Sequence, residues 1–319
     1  MMFNKNRCFV FDFKICCAIV ILFFSCQTST VEKKIKIERF EKHFFESNEK
    51  NLDSLIQKYP FLFPKQYSKD IWVSFLTDSL RLSIYNESNR VFVNMDSIND
   101  QISSVFSRFG KIFNQFKNPR VITLNSLSEY DNRVIYSDSL LLISLDSYLG
   151  KNFYTQLPDY ISSNMSKKYL VNDVAEKISE SFINRSNDRS LLAEMIYHGK
   201  VLYLTKTVTP FNDPNLIFHA NKTKMDWTQA NEYNIWSYFI ENDFLFNTTN
   251  DLKFRFINFS PFSKFNLDID KESSGSIGKW LGYKIVDSYM TNNDTNIKEM
   301  LSENFYTIFT NSKYKPRKR

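Results

Sequence analysis

The sequence predicts an α+β fold rich in helix, with several helices packed on a small, largely antiparallel sheet. Three observations predict it. Apolar residues recur at steps of three and four through several stretches between residues 48 and 290. Between residues 120 and 146 the period changes, and three short, branched, aliphatic runs follow one another with turn residues between them. The chain carries 31 Phe and 17 Tyr against only 6 Gly, which suits bulky helical packing and excludes Gly-rich repetitive architectures. At 319 residues and 43% hydrophobic, it is long and apolar enough to bury a core and is not a disordered polymer. No strand–helix–strand series repeats, so a doubly wound sheet is not expected.

The amino end reads as an export signal over residues 1–25. Lys5, Arg7 and Lys14 precede an apolar run over residues 15–24 (ICCAIVILFF), and Ser25 and Cys26 close it. The run is shorter than the roughly 20 residues of a comfortable membrane-spanning helix. Phe23-Phe24-Ser25-Cys26 resembles a bacterial lipobox, which makes Cys26 the expected lipidation site and the first residue of the mature chain. Residues 26–34 then read as the lipidated Cys and a polar tether. All four cysteines lie in the first 26 residues. The body therefore has no disulfide, no Cys-bound metal and no thiol nucleophile, and the only cofactor expected is the covalent lipid on Cys26.

Charge excludes a nucleic-acid partner. The formal charge is +6, of which residues 1–25 contribute +2. The last seven residues (KYKPRKR) hold five bases, and the remaining body is close to neutral. The basic balance is thus a short tail, reading as residues 317–319 beyond a single domain at 35–316, not a basic face.

Within the body, residues 35–46 (IKIERFEKHFFE) begin with an alternation that predicts a short strand or an extended segment. A short helix is expected over 48–58, ending before Pro60, and a longer one over 68–85 with Ser68 as its N-cap. Ile102, Val105, Phe106, Phe109, Ile112, Phe113 and Phe116 predict the next helix, stopped by Asn118-Pro119. RVITLN (120–125), RVIYS (133–137) and LLLISLD (140–146) are the strands. Beyond Pro158, helices are expected over 171–182, 190–206, 228–240 and 275–289, with a long irregular connection between 247 and 274.

Candidate chemistry is sparse. On the helix at 190–206, Leu192, Met195, Ile196, Leu202 and Tyr203 form an apolar stripe, while Glu194 and His198 are four apart on another face. Such a pair can share a metal, but a zinc protease helix needs H-E-x-x-H, two imidazoles to hold zinc and a Glu to activate water. Only His198 is present there. His219 and Glu232 are the remaining metal candidates, and no spacing joins them to Glu194 and His198. Gly275, Gly278 and Gly282 recur at three and four. Because glycine inside a helix costs about 1 kcal/mol relative to Ala, this stripe predicts close approach of another backbone and not phosphate binding. No nucleophile elbow, Cys–His pair or paired-carboxylate motif stands out.

Several segments together resemble the gliding-motility lipoprotein B (GldB) family of the Bacteroidetes. They are FFSC (23–26), KIERFEKHFFE (36–46), SLDSYLGKNFY (144–154), LPDYISSNMSKKYLVND (157–173), LLAEMIYHGKVLYL (191–204), NEYNIWSYFIEN (231–242), GSIGKWLGYKIVDSYM (275–290) and SKYKP (312–316). The resemblance implies a membrane-anchored lipoprotein of the cell envelope, facing the periplasm and needed for gliding. It implies as partners the membrane lipid through Cys26 and other envelope proteins of the gliding and type IX secretion machinery. It also implies a degenerate zincin-like fold in which the helix at 190–206 stands where the active helix would be. The family helix commonly reads M-I-Y-E-G-K, and here His198 takes the place of the acidic residue, so no catalytic residue is carried over. A non-catalytic docking role is the leading expectation. An envelope zinc-dependent metallopeptidase is the alternative, and a glycan binder using exposed aromatics is a third class.

Overall fold

A computed structural model of the chain describes residues 34–127 and 130–318. The expected export signal, Cys26 and the expected tether up to residue 33 lie outside the described residues, and the body from Lys34 onward packs as one unit.

Strand β1 (Ile37–Arg39) leads directly into α1 (Phe40–Phe45) and α2 (Glu49–Lys58). The Asn48 side chain starts α2 by accepting the Lys50 and Asn51 amides. The single helix expected over 68–85 is two, α3 (Lys69–Thr77) and α4 (Ser79–Val91). Asp78 divides them: its backbone is extended and its carboxylate takes the Arg81 amide, so it caps the second helix instead of continuing the first. Ser68 precedes α3 but makes no capping bond. Helix α5 (Asp96–Ile112) ends before Phe113 and Phe116, which were expected on it. Both still reach the same aromatic cluster, and the Phe113 ring lies 3.8 Å from that of Phe182.

Next come β2 (Arg120–Leu124), β3 (Val134–Ser137) and β4 (Leu140–Ser144). The fold is α+β and helix-rich, but the sheet is mixed and not largely antiparallel. Its order is β1-β2-β4-β3; β1 and β4 both run parallel to β2, and only β3 runs against β4. The hairpin between β3 and β4 follows from its turn residues, Asp138 and Ser139. The insertion of β4 between β3 and β2 is tertiary and carries no local signal. Side-chain alternation sorts the sheet into two faces. Val121, Val134, Leu141 and Ile143 enter the main core, while Ile122, Leu140 and Leu142 pack on a smaller cluster with Phe44, Leu52, Tyr59 and Phe63.

The helical remainder comprises α6 (Asp159–Ser162), α7 (Leu170–Glu180), α8 (Leu191–Val208), α9 (Lys222–Ala230), α10 (Glu232–Glu241), α11 (Asn250–Phe256), α12 (Ile277–Asn292), α13 (Ile297–Ser302) and α14 (Phe305–Ser312). The helix expected over 228–240 is broken at Asn231 into α9 and α10, and the connection expected to be irregular holds α11. Helix α8 is not striped but buried on most of its surface, including Leu191, Ala193, Gly199, Val201 and Val208. It crosses α12 in the most extensive helix pairing of the molecule. Gly199 faces the Gly282 backbone, and Gly282 faces the Met195 carbonyl. Gly278 lies against Phe256 and Ile257. Gly275 is not in the helix: α12 starts at Ile277, and Gly275 precedes it, packed on the Ser260 carbonyl where no side chain fits.

Lys200 is the one cation that α8 carries into this core. Its Nζ donates to the carbonyls of Leu301 and Glu303 at 2.9 and 2.6 Å, tying α8 to the end of α13. Burial lowers its pKa to about 8 from 10.5, against the pull of Glu303. Between those values the unfolded chain holds a proton that the folded chain has lost, so stability should rise with pH from about 8 to 10.5. Urea unfolding of Lys200→Met should lack this rise; the same slope in wild type and variant would refute the assignment.

Candidate functional site

A group of buried and half-buried charged side chains converges around α7. Asp173 and Glu176 are three apart and share one face of this helix, near the start of β3. A short 3-10 turn, Leu216–Phe218, ends on His219, whose backbone is left-handed (φ 50°). That conformation is uncommon outside glycine, though less so for His, and it closes the turn so that the ring meets α7. His219 Nε2 lies 3.3 Å from Glu176 Oε2 and 3.4 Å from Asp173 Oδ1. Asn164 Nδ2 donates to the His219 carbonyl at 2.9 Å, and the Tyr169 ring stacks on the imidazole at 5.3 Å.

The other oxygen of Asp173 is fully engaged. Arg133 Nε lies 2.7 Å from Oδ2, and the Tyr148 hydroxyl donates to it at 2.8 Å. The guanidinium also covers the Tyr130 ring at 3.9 Å, and Tyr130 stacks on Phe259. Asp173 Oδ1 and His219 Nδ1 are buried and, among the described residues, have no hydrogen-bond partner. Burial pushes the Asp173 carboxyl up, against the charges of Arg133 and His219. Burial also acts upward on Glu176, but there the His219 hydrogen bond and the charges of His219, Lys279 and Arg133 outweigh it and hold the carboxyl at about 2. Two carboxyls three residues apart are therefore driven in opposite directions, with an imidazole between them. Such an arrangement can hold a proton or a cation.

A pocket of about 260 Å³ is bordered by Arg133, Asp173, Glu176, His219, Phe259 and Lys279. A larger cleft of about 850 Å³, walled by Tyr160, Lys168, Tyr169 and Lys224, shares His219 and Phe259 with it.

Of the four metal candidates named from the sequence, only His219 joins this cluster. Glu194 is held elsewhere: its Oε2 pairs with Arg185 at 2.9 Å and its Oε1 with Lys253 at 2.8 Å. Glu232 accepts from the Tyr314 hydroxyl at 2.8 Å and pairs with Lys284. His198 packs edge-on to Tyr197, and burial, with the charges of Lys279 and Arg185, drives its pKa far below the ordinary range, so it is a neutral imidazole. His43 lies on α1, not in an extended segment, and its Nδ1 meets the Tyr59 hydroxyl at 2.9 Å. On α8 an H-E-x-x-H set would need imidazoles at Ala193 and Tyr197. With Glu194 tied up in two ion pairs, these residues do not fit a zinc-activating helix. Asp173, Glu176 and Arg133 were missed by the sequence reading. The available signal was a D-x-x-E spacing inside an expected helix.

A family model described as gliding motility protein GldB matches residues 25–316. No curated protein and no solved structure matches the chain.

Proposed function

The chain belongs to the GldB gliding-motility family, and from that premise we propose that it is a lipid-anchored envelope component whose body docks onto the gliding and type IX secretion machinery without catalysing a reaction. The lipid on Cys26 moors it to a membrane, and the body faces the periplasm. Among the described residues, no helix is long and apolar enough to cross a membrane. The observation that carries the docking reading is the state of α8. Glu194, the carboxylate on the helix that would be catalytic in a zincin, has both oxygens in ion pairs with Arg185 and Lys253. A carboxylate so held is a structural strut, not a base poised for water.

Allelic replacement tests this reading. Cys26→Ser should leave the membrane fraction or accumulate as precursor, and surface movement should stop. Glu194→Gln and His198→Ala should stay in the membrane fraction and support movement. Continued lipid labelling of Cys26→Ser would contradict the anchor. Peptide hydrolysis by the purified mature protein, abolished by Glu194→Gln, would replace docking with catalysis.

A further inference from the structure

We propose that Asp173, Glu176 and His219 bind one divalent transition-metal ion of the zinc class, with an open coordination position toward the neighbouring pocket. One ligand atom from each residue lies within 4.8 Å of the others. The separations are informative. His219 Nε2 stands 3.3 and 3.4 Å from the two carboxylate oxygens. Charge-assisted hydrogen bonds are shorter, about 2.7–2.9 Å. Ligand atoms about 2.0–2.1 Å from a tetrahedral zinc ion stand about 3.3 Å from one another, so these two separations match coordination edges.

A second observation points the same way. The Asp173 side chain is only 5% exposed, yet Oδ1 has no hydrogen-bond partner among the described residues. A buried, unsatisfied carboxylate oxygen is expensive. Arg133 and Tyr148 hold Oδ2, and this fixes the carboxylate plane so that Oδ1 faces His219 Nε2. A cation between these atoms supplies the missing partner. Such outer contacts are how proteins orient metal-binding carboxylates. Tyr169 stacks on the imidazole, and Asn164 holds the backbone carbonyl of His219. One imidazole and two carboxylates suit zinc and exclude soft-metal preferences. All three residues border the pocket of about 260 Å³, which leaves room for a water or an oxygen ligand in the fourth position.

The site lies on α7 and the turn after Phe218, not on α8, so it is independent of the docking reading. Untagged mature protein, stripped with chelator, should take up about one zinc per chain by elemental analysis and calorimetric titration, and its melting temperature should rise. Glu176→Gln and His219→Ala should each lose stoichiometric zinc while keeping the wild-type circular dichroism spectrum. If one of them fails to fold, the other decides. Tyr148→Phe, which frees one contact to Oδ2 without touching the ion, should weaken zinc binding by roughly 10–100-fold. Absence of stoichiometric zinc in the wild type, or equal uptake by the variants, overturns the site and leaves the docking reading standing. Zinc uptake accompanied by peptide hydrolysis would keep the site and sink the docking reading.

Discussion

Gly282→Ala should cost the fold about 3 kcal/mol or more, at the upper end of what overpacking does. The added methyl would overlap the Met195 carbonyl of α8, and a backbone carbonyl cannot swing aside as a side chain can. Opposite it, Gly199 has no room either, since a Cβ there would strike the Gly282 backbone. The two helices would have to separate. Helix α8 has nowhere to retreat, because it is also packed against α7 on its other side. A loss of that size corresponds to a drop in melting temperature of about 6–12 °C. The control is Gly110→Ala in α5, where a new Cβ meets nothing within 4 Å. It should be neutral or stabilising by up to about 1 kcal/mol, the helix propensity difference. If Gly282→Ala melted with the wild type, the close crossing of α8 and α12 would be wrong.

Arg133→Ala should be of similar severity, about 3–5 kcal/mol, the usual result of removing one partner of a buried ion pair. Arg133 is 8% and Asp173 6% exposed, so the abandoned carboxylate would keep the Tyr148 hydroxyl on Oδ2 and the His219 imidazole 3.4 Å from Oδ1 but lose the guanidinium that balances its charge. The loss would come from the stranded charge more than from the pair itself. A double variant, Arg133→Met with Asp173→Leu, should therefore recover much of the loss, since apolar groups of similar volume often replace a buried pair at little cost. Denaturant unfolding of both variants measures this. A double variant as unstable as the sum of the two single ones would show that the pair is itself a net source of stability.

Much of the fold could be read from the sequence because its signals are local. The three strands between 120 and 146 and the helix built on Ile102 to Phe109 announce themselves by period, whereas the stripe expected on the helix at 190–206 gives way to burial on most of its surface. The Asp78 break was lost because aspartate is tolerated at a helix surface and caps one only when the chain turns there. The parallel pairing of β4 with β2 was lost because strand order depends on burying both faces of the sheet, which no window of residues contains. The cluster around α7 divides in the same way. The spacing of Asp173 and Glu176 could be read; their meeting with His219 and Arg133 could not, because the 40 or so residues on either side are brought together only by the packed core. His198 and Glu194 drew attention through proximity in sequence, and their neighbours in space gave them structural work.

The arrangement of β1 bears on how the body would respond to mechanical tension. Only three residues long, it is the first strand among the described residues and runs parallel to β2 at the margin of the sheet. A pull at Lys34 directed along the strand would strain the rungs of its ladder together in shear instead of unzipping them one at a time. Glu38 reinforces them through Arg120 at 2.7 Å, and Arg39 through the Phe92 carbonyl at 2.9 Å. A body loaded at its amino end would thereby be gripped where the force arrives.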